Sequence, residues 1–227
     1  MTSSTAEHMR GLGLGALSHA NWHAGFVSFE NPYWAQLSIL QAAHAAEILI
    51  KARIAEEHPL LIFRDLPKQQ GSEIASLSQS RLLSEGRTYD FSELPDRLWA
   101  TTGIHLPNRD LYSSFGRLRN TIQHFTYPDG HDLSQRALEF IFGVIDPFIN
   151  NCWGLYGVDF VEDYDGIVDF AATLLRRQIR FLVSPDLSKD WSYIHDPWHG
   201  VEDNYRSEME RRLLQSESGT EESSSST

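Results

Sequence analysis

The stretch RLRNTIQHF, residues 117–125, sets an arginine at 119, an asparagine at 120 and a histidine at 124. These side chains match what phosphodiester cleavage needs. The RNA 2′-hydroxyl must lose a proton, the five-coordinate phosphorus must be stabilised, and the 5′-oxygen must gain a proton. A histidine titrates near neutrality and serves as acid or base. An arginine keeps its proton and holds charged oxygens in a planar fork. A neighbouring amide orients the imidazole or binds phosphate. This kit calls for no metal and no organic cofactor. It contains one histidine, so a two-histidine mechanism takes the second from another copy of the chain.

A helix must position these groups. With Leu111 at zero on a helical wheel, Leu111, Phe115, Leu118, Ile122 and Phe125 fall in a stripe of about 80°. That stripe is the expected core face. Arg119 flanks it, and Asn120 and His124 lie beyond it, one turn apart with Cβ atoms about 5–6 Å from each other. Gly116 sits in the polar group, where it costs the helix about 1 kcal/mol relative to alanine. Close approach of a partner helix or a phosphate would account for it, as would simple tolerance. The Arg-to-His spacing alone is a weak signal, because Arg53 and His58 repeat it. His58, however, abuts Pro59, which ends a helix.

Further elements follow from caps and breakers. Residues 31–59 read as one long helix, with Asn31 as N-cap and Pro32 at its first position. A shorter helix is predicted from Glu73 to Ser84, ended by Gly86, and another from a Ser92 cap to Gly103. Pro107 opens the helix carrying the motif, which ends before Pro128. Asp132 caps a helix through Asn151, kinked at Pro147. The last clear helix is expected over 167–183. No strand ladder or repeat stands out. The predicted fold class is all-α: an up-down bundle with a long first helix and an irregular C-terminal extension. The expected organisation is an N-terminal extension over 1–31, a helical domain over 32–183, a segment over 184–214 packing on it, and a disordered, acidic, Ser-rich tail over 215–227.

The chain carries a formal net charge of −12, with a pI near 5.2. A general nucleic-acid coat would be basic, so any nucleic-acid contact is confined to a patch or shared with another subunit. Sixteen arginines stand against three lysines, a bias that suits bidentate contacts to phosphate and carboxylate alike. Cys152 is the single cysteine, which excludes an internal disulfide and fits a reducing compartment. No apolar run has membrane-spanning length and the first residues lack a secretory pattern, so a cytoplasmic protein is expected.

Supporting candidates surround the motif. Glu47 lies in an apolar stretch and either orients Arg119 or His124 or pairs with Lys51 four residues on. His44 joins that cluster or packs at a helix interface. Gln123 stands within the motif. Arg176, Arg177 and Arg180 form either an RNA-guiding ridge or ion pairs. Trp191, Tyr193, Trp198 and Tyr205 stack bases or lock the extension onto the core. His19 with His23, and His195 with His199, have metal-ligand spacing, yet neither pair has an evident third ligand. No metal is expected.

The RLRNTIQHF stretch resembles the signature of the HEPN superfamily (higher eukaryotes and prokaryotes nucleotide-binding domain). That signature is an Arg, then usually a polar residue, and a His four to six positions beyond the Arg. The earlier stretch AHAAEILIKARIAEEHPLLIF is similar to the first long helix of prokaryotic HEPN proteins of defence and toxin systems. The likeness covers roughly residues 32–183. It implies a helical bundle, usually dimeric, with the two motif helices facing each other. For active members it implies a metal-independent endoribonuclease leaving 2′,3′-cyclic phosphates, with Arg119 on the phosphate, Asn120 as helper and His124 as acid/base. The partners implied are RNA, a second copy of the chain, and an antitoxin or defence-system protein. A non-catalytic nucleotide-binding or assembly module of a larger defence complex is the alternative. One toxin branch has a tyrosine two positions after the histidine, modified by a partner nucleotidyltransferase. Here Tyr127 stands one position late and departs from that branch.

Overall fold

A computed structural model describes residues 2–69, 77–125, 132–163 and 166–224. Its centre is α2 (Trp34–Glu57), which buries Ile39, Ala42, Ala46, Leu49, Ile54 and others around most of its circumference. A helix apolar on every side must be covered by neighbours. Those neighbours are α1 (Thr2–Gly25), α4 (Leu94–Thr102), α5 (Arg109–His124) and α6 (Leu133–Phe140). The molecule is an all-α bundle, as the sequence predicts. Helix α2 begins two residues later than expected. Asn31 Oδ1 accepts from Tyr33 N at 2.9 Å, which makes a turn ahead of the helix rather than a cap on it. The predicted stop before Pro59 is observed, with His58 extended.

The expected N-terminal extension contains a long helix. Helix α1 packs along α2 and buries Ala6, Ala16, Leu17, Ala20 and Ala24. Its contact face is mostly alanine and glycine, with Leu17 among them, so it carries little of the large-residue periodicity that betrays an amphipathic helix. A Cβ on Gly13 would stand 2.7 Å from Leu49 Cγ, so the missing side chain permits the close approach of the two helices.

Helix α3 (Gln79–Glu85) ends at Gly86, as predicted, while its expected start near Glu73 lies outside the described residues. A short antiparallel pair, β1 (Phe63–Asp65) and β2 (Arg87–Thr88), was not anticipated. Asp90 with Glu93, rather than Ser92, caps the turn into α4. The Gly103 stop is as expected, at φ +73°.

Pro147 falls at a kink, and the kink is a π turn over Ile141–Ile145 between α6 and α7 (Asp146–Trp153). Pro147 has no N–H for the carbonyl of Gly143, four residues back. Asn108 Nδ2 donates to that oxygen instead, at 2.6 Å, and so ties the start of α5 to the kink.

Helix α8 (Ile167–Arg176) stops well short of residue 183. Gln178 turns the chain at φ +53°, and Ile179, Phe181 and Val183 are then buried in alternation. That is a strand's period where the sequence pattern predicts the end of a helix, in a segment with no sheet partner among the described residues. Ile179 N still donates to the Leu174 carbonyl at 3.0 Å, and beyond it side chains supply the hydrogen bonds. Tyr205 Oη donates to the Ile179 carbonyl at 2.6 Å, Arg212 Nη1 donates to the Phe181 carbonyl at 2.8 Å, and Leu182 N donates to Asp146 at 2.9 Å. The other Asp146 oxygen accepts from Gly157 N at 2.7 Å. Helix α9 (Pro185–Asp190) follows, and α10 (Asp203–Ser224) continues past Ser216, where composition predicts a disordered tail. Met209 and the Glu208–Arg212 pair anchor its first half, and elongating a nucleated helix is easy.

Two measurements test these packing arguments. Gly13→Ala should lower the urea midpoint despite the propensity gain. Gly11→Ala and Gly15→Ala, where a Cβ meets nothing within 4 Å, should each raise stability by about 0.5–1 kcal/mol. Burial pushes the Asp146 carboxyl up to about 7, against the two N–H donors that favour its anion. The unfolded value is about 3.9. The folded state therefore binds the extra proton between about pH 4 and 7, and this group's contribution to stability falls as pH rises through that window. Asp146→Ala should remove that dependence and cost about 2–6 kcal/mol in denaturation at neutral pH, through two orphaned buried donors.

Candidate functional site

Helix α5 buries Tyr112, Phe115 and Leu118, with Leu111 and Ile122 half-buried beside them. The stripe read from the sequence is its core face, with two amendments. Tyr112 joins it. Phe125 leaves it, because the helix stops at His124, and the extended Phe125 is 80% exposed.

On the flank of that stripe the Arg119 guanidinium is held from three sides. It donates to Asn120 Oδ1 at 3.0 Å, to Gln123 Oε1 at 3.3 Å and to Glu47 Oε2 at 3.4 Å. It also lies 5.4 Å from the centre of the Phe91 ring. Glu47 serves both roles weighed for it, since its other oxygen accepts from Lys51 Nζ at 2.7 Å. Lys51 in turn donates to Thr88 Oγ1 at 3.1 Å, which fastens the short strand pair to α2. That fastening sets the segment after β2. There Phe91 stacks on Tyr112 with ring centres 4.1 Å apart, and Tyr112 Oη donates to the Phe91 carbonyl at 2.8 Å. Burial, and then the nearby Glu47 charge, hold the Tyr112 phenol well above its usual pKa, with Arg119 opposing.

These groups enclose a cleft of about 540 Å³ lined by Glu47, Asp90, Phe91, Ser92, Tyr112, Ser113, Gly116, Arg117, Arg119 and Asn120. Its volume falls within the range of small-ligand sites, about 300–1,000 Å³. Gly116 is explained from inside the chain. A Cβ there would meet the Phe91 ring at 2.9 Å, so the glycine makes room for an aromatic ring.

The structure thus brings together Arg119, Asn120, Glu47 and Gly116, with Gln123 bonded to the guanidinium. It does not bring His124 into the same cleft. His124 ends α5 exposed, one turn beyond Asn120. His44 is exposed on α2 rather than packed at an interface. Tyr127 lies outside the described residues. Asp90, Phe91, Ser92, Tyr112, Ser113 and Arg117 line the cleft without having been singled out from the sequence. The Asp90-to-Glu93 capping signal marks where that segment turns, but nothing local shows which helix it turns against.

Of the two alternatives for Arg176, Arg177 and Arg180, a ridge along α8 does not form, because the helix ends at Arg176. Arg177 pairs with Asp132 at 2.8 Å, Arg176 donates to Thr173 Oγ1 at 3.0 Å, and Arg180 is exposed beyond the turn. In the extension, Tyr205 is buried, Trp191 and Trp198 pack at 5.9 Å, and Tyr193 is exposed. His19 pairs with Glu162, and His23 packs edge-on against Trp34. Burial lowers the His23 pKa. Among the described residues no group of three or more His, Cys, Asp or Glu side chains is placed to hold a metal, and no helix is long and apolar enough to cross a membrane.

No protein-family model, curated protein or solved structure matches this chain.

Glu47→Ala should destabilise the protein by about 1–3 kcal/mol in urea denaturation, because the Lys51 ammonium, only 10% exposed, loses its carboxylate. Replacing Glu47 and Lys51 together by leucine should recover most of that loss.

Proposed function

We propose that this chain is a metal-independent endoribonuclease of the HEPN type, acting in a prokaryotic toxin or antiphage defence system. The observation that carries this reading is the Arg119 guanidinium, fixed by Asn120, Gln123 and Glu47 at the wall of an open cleft, with His124 exposed one turn along the same helix. A guanidinium held in place before its ligand arrives loses little freedom on binding phosphate.

His124 stands outside the cleft of its own protomer, so the catalytic unit is a homodimer in which two α5 helices meet. One His124 takes the 2′-hydroxyl proton as that oxygen attacks phosphorus. Arg119 balances the charge on the non-bridging oxygens. The bond from phosphorus to the 5′-oxygen breaks, and the protonated His124 of the second copy gives its proton to the leaving oxygen. The products are a 2′,3′-cyclic phosphate and a 5′-hydroxyl. Asn120, four residues before His124, orients the imidazole. An antitoxin or defence-system partner would restrain this activity.

A second reading rests on the same geometry. Within one protomer the cleft offers arginine, serine, asparagine and carboxylate groups but no imidazole, which suits a nucleotide-binding or assembly module without catalysis.

Incubation with a structured RNA such as tRNA in EDTA separates the two. The nuclease leaves cyclic-phosphate ends. His124→Ala should lower the rate by at least about 100-fold with the far-UV dichroism unchanged. Full activity of His124→Ala would overturn the mechanism. Intact RNA together with tight nucleotide binding would favour the module.

A further inference from the structure

The cleft contains a second guanidinium that has no partner among the described residues. Most arginines of this acidic protein sit on carboxylates: Arg53 on Glu57, Arg81 on Glu85, Arg109 on Asp96, Arg177 on Asp132, Arg212 on Glu208. Arg117 is exposed and lines the cleft, and its side chain has no ion pair or hydrogen bond among the described residues. The two carboxylates of that cleft are already engaged. Glu47 is shared by Lys51 and Arg119, and Asp90 lies 3.6 Å from both Arg64 and Arg87. Among the described residues, therefore, no counter-charge meets Arg117 at the cleft, in a molecule whose net charge is −12.

Its place on α5 matters as much as its charge. Ser113, Arg117, Asn120 and His124 follow one another at spacings of four, three and four residues, so they form one stripe along the helix. The stripe is separate from the buried face of Tyr112, Phe115 and Leu118. From Arg117 to His124 it rises roughly 10 Å at about 1.5 Å per residue. A polyanionic strand lying along it would meet a hydroxyl, a guanidinium, an amide and an imidazole in turn, with Arg119 alongside.

Resting on the nuclease reading above, we propose that Arg117 is a substrate-binding residue that holds the phosphodiester next to the one gripped by Arg119, so that the cleft takes a single-stranded stretch of RNA rather than a lone phosphate. Arg117 acts on binding and register, and Arg119 with His124 act on the chemistry.

A short RNA oligonucleotide with 2′-O-methyl groups throughout binds without being cut, because its 2′-oxygens carry no proton. Its affinity is read by fluorescence anisotropy across a salt series, and cleavage of the unmodified strand is followed in parallel. Arg117→Gln should weaken binding about five- to tenfold and reduce the slope of log K against log salt by about 0.7, the value for one contact to a single strand. Single-turnover cleavage at saturating RNA should change less than twofold. Arg117→Lys should keep most of the salt slope. If Arg117→Gln binds with wild-type affinity and slope while Arg119→Gln is weakened, Arg117 makes no phosphate contact and this inference falls, with the nuclease reading intact. If the wild-type protein neither binds the modified strand nor cuts the unmodified one, the nuclease reading falls and takes the inference with it.

Discussion

The Glu47 carboxylate is the point at which the bundle and the site depend on each other. Helix α2 is apolar on almost every side, yet it carries this acid and Lys51 one turn apart. Neither charge is largely exposed, so each needs a partner inside the protein. Lys51 takes one oxygen of Glu47 and reaches Thr88, which places the short strand pair. Arg119 takes the other oxygen, which places α5. Phe91, delivered by the chain after β2, then fills the space above Gly116 and lies against the same guanidinium. The contacts to Glu47 are unequal. The lysine sits at 2.7 Å and the arginine at 3.4 Å, so the lysine is the tighter tie and the arginine the looser one. In the proposed nuclease, a phosphate entering the cleft competes for the looser of the two.

How far the sequence reveals this architecture depends on which forces leave a local trace. Caps, a proline stop and an apolar run without glycine announce α2, large apolar residues at helical spacing announce the core face of α5, and residues with special backbone or capping chemistry announce Gly103 and Asp132. Helix α1 was invisible because its packing relies on what is absent: glycine and alanine let two backbones approach, and they carry no large side chain to mark a period. The segment over 179–183 was misread because its burial has strand periodicity without a strand partner. After Ile179 N closes on Leu174, its hydrogen bonds are to the side chains of Asp146, Tyr205 and Arg212, some 25 to 40 positions away in the chain. Phe125 was placed in the core by extending the wheel one residue beyond the point where the helix stops.

The site divides along the same line. Arg119, Asn120, Gly116 and Glu47 were legible because three lie in one helical turn and the fourth is a charge in an apolar run. Gly116 was noticed for the right physical reason, a missing side chain that must make room for something, but the occupant is Phe91 rather than a phosphate. Phe91, Ser92 and Asp90 were not legible, because a short strand pair and a capped turn bring them to α5 from 20 or more residues away. Lys51 was read as a local partner of Glu47. Its reach to Thr88, which positions that whole segment, is a tertiary fact.

The net charge of −12 sets the terms on which any polyanion approaches this molecule. At physiological ionic strength screening acts over about 8 Å, so distant acidic residues are felt weakly and the groups near the point of contact dominate. The cleft is lined by Arg117 and Arg119 against Glu47 and Asp90, with Lys51 drawing on Glu47 and Arg64 and Arg87 drawing on Asp90 from beside it. The balance is locally positive, on a face of α5 that leads to an exposed histidine. A second copy of α5 set against this one would double that positive stripe where the two meet, while the acidic remainder of both chains stayed in solvent. The repulsion of two such stripes is relieved when an anionic strand lies between them. In the proposed nuclease, therefore, substrate and dimer support each other: RNA draws the two motif helices together, and the paired helices supply the second imidazole that the chemistry requires.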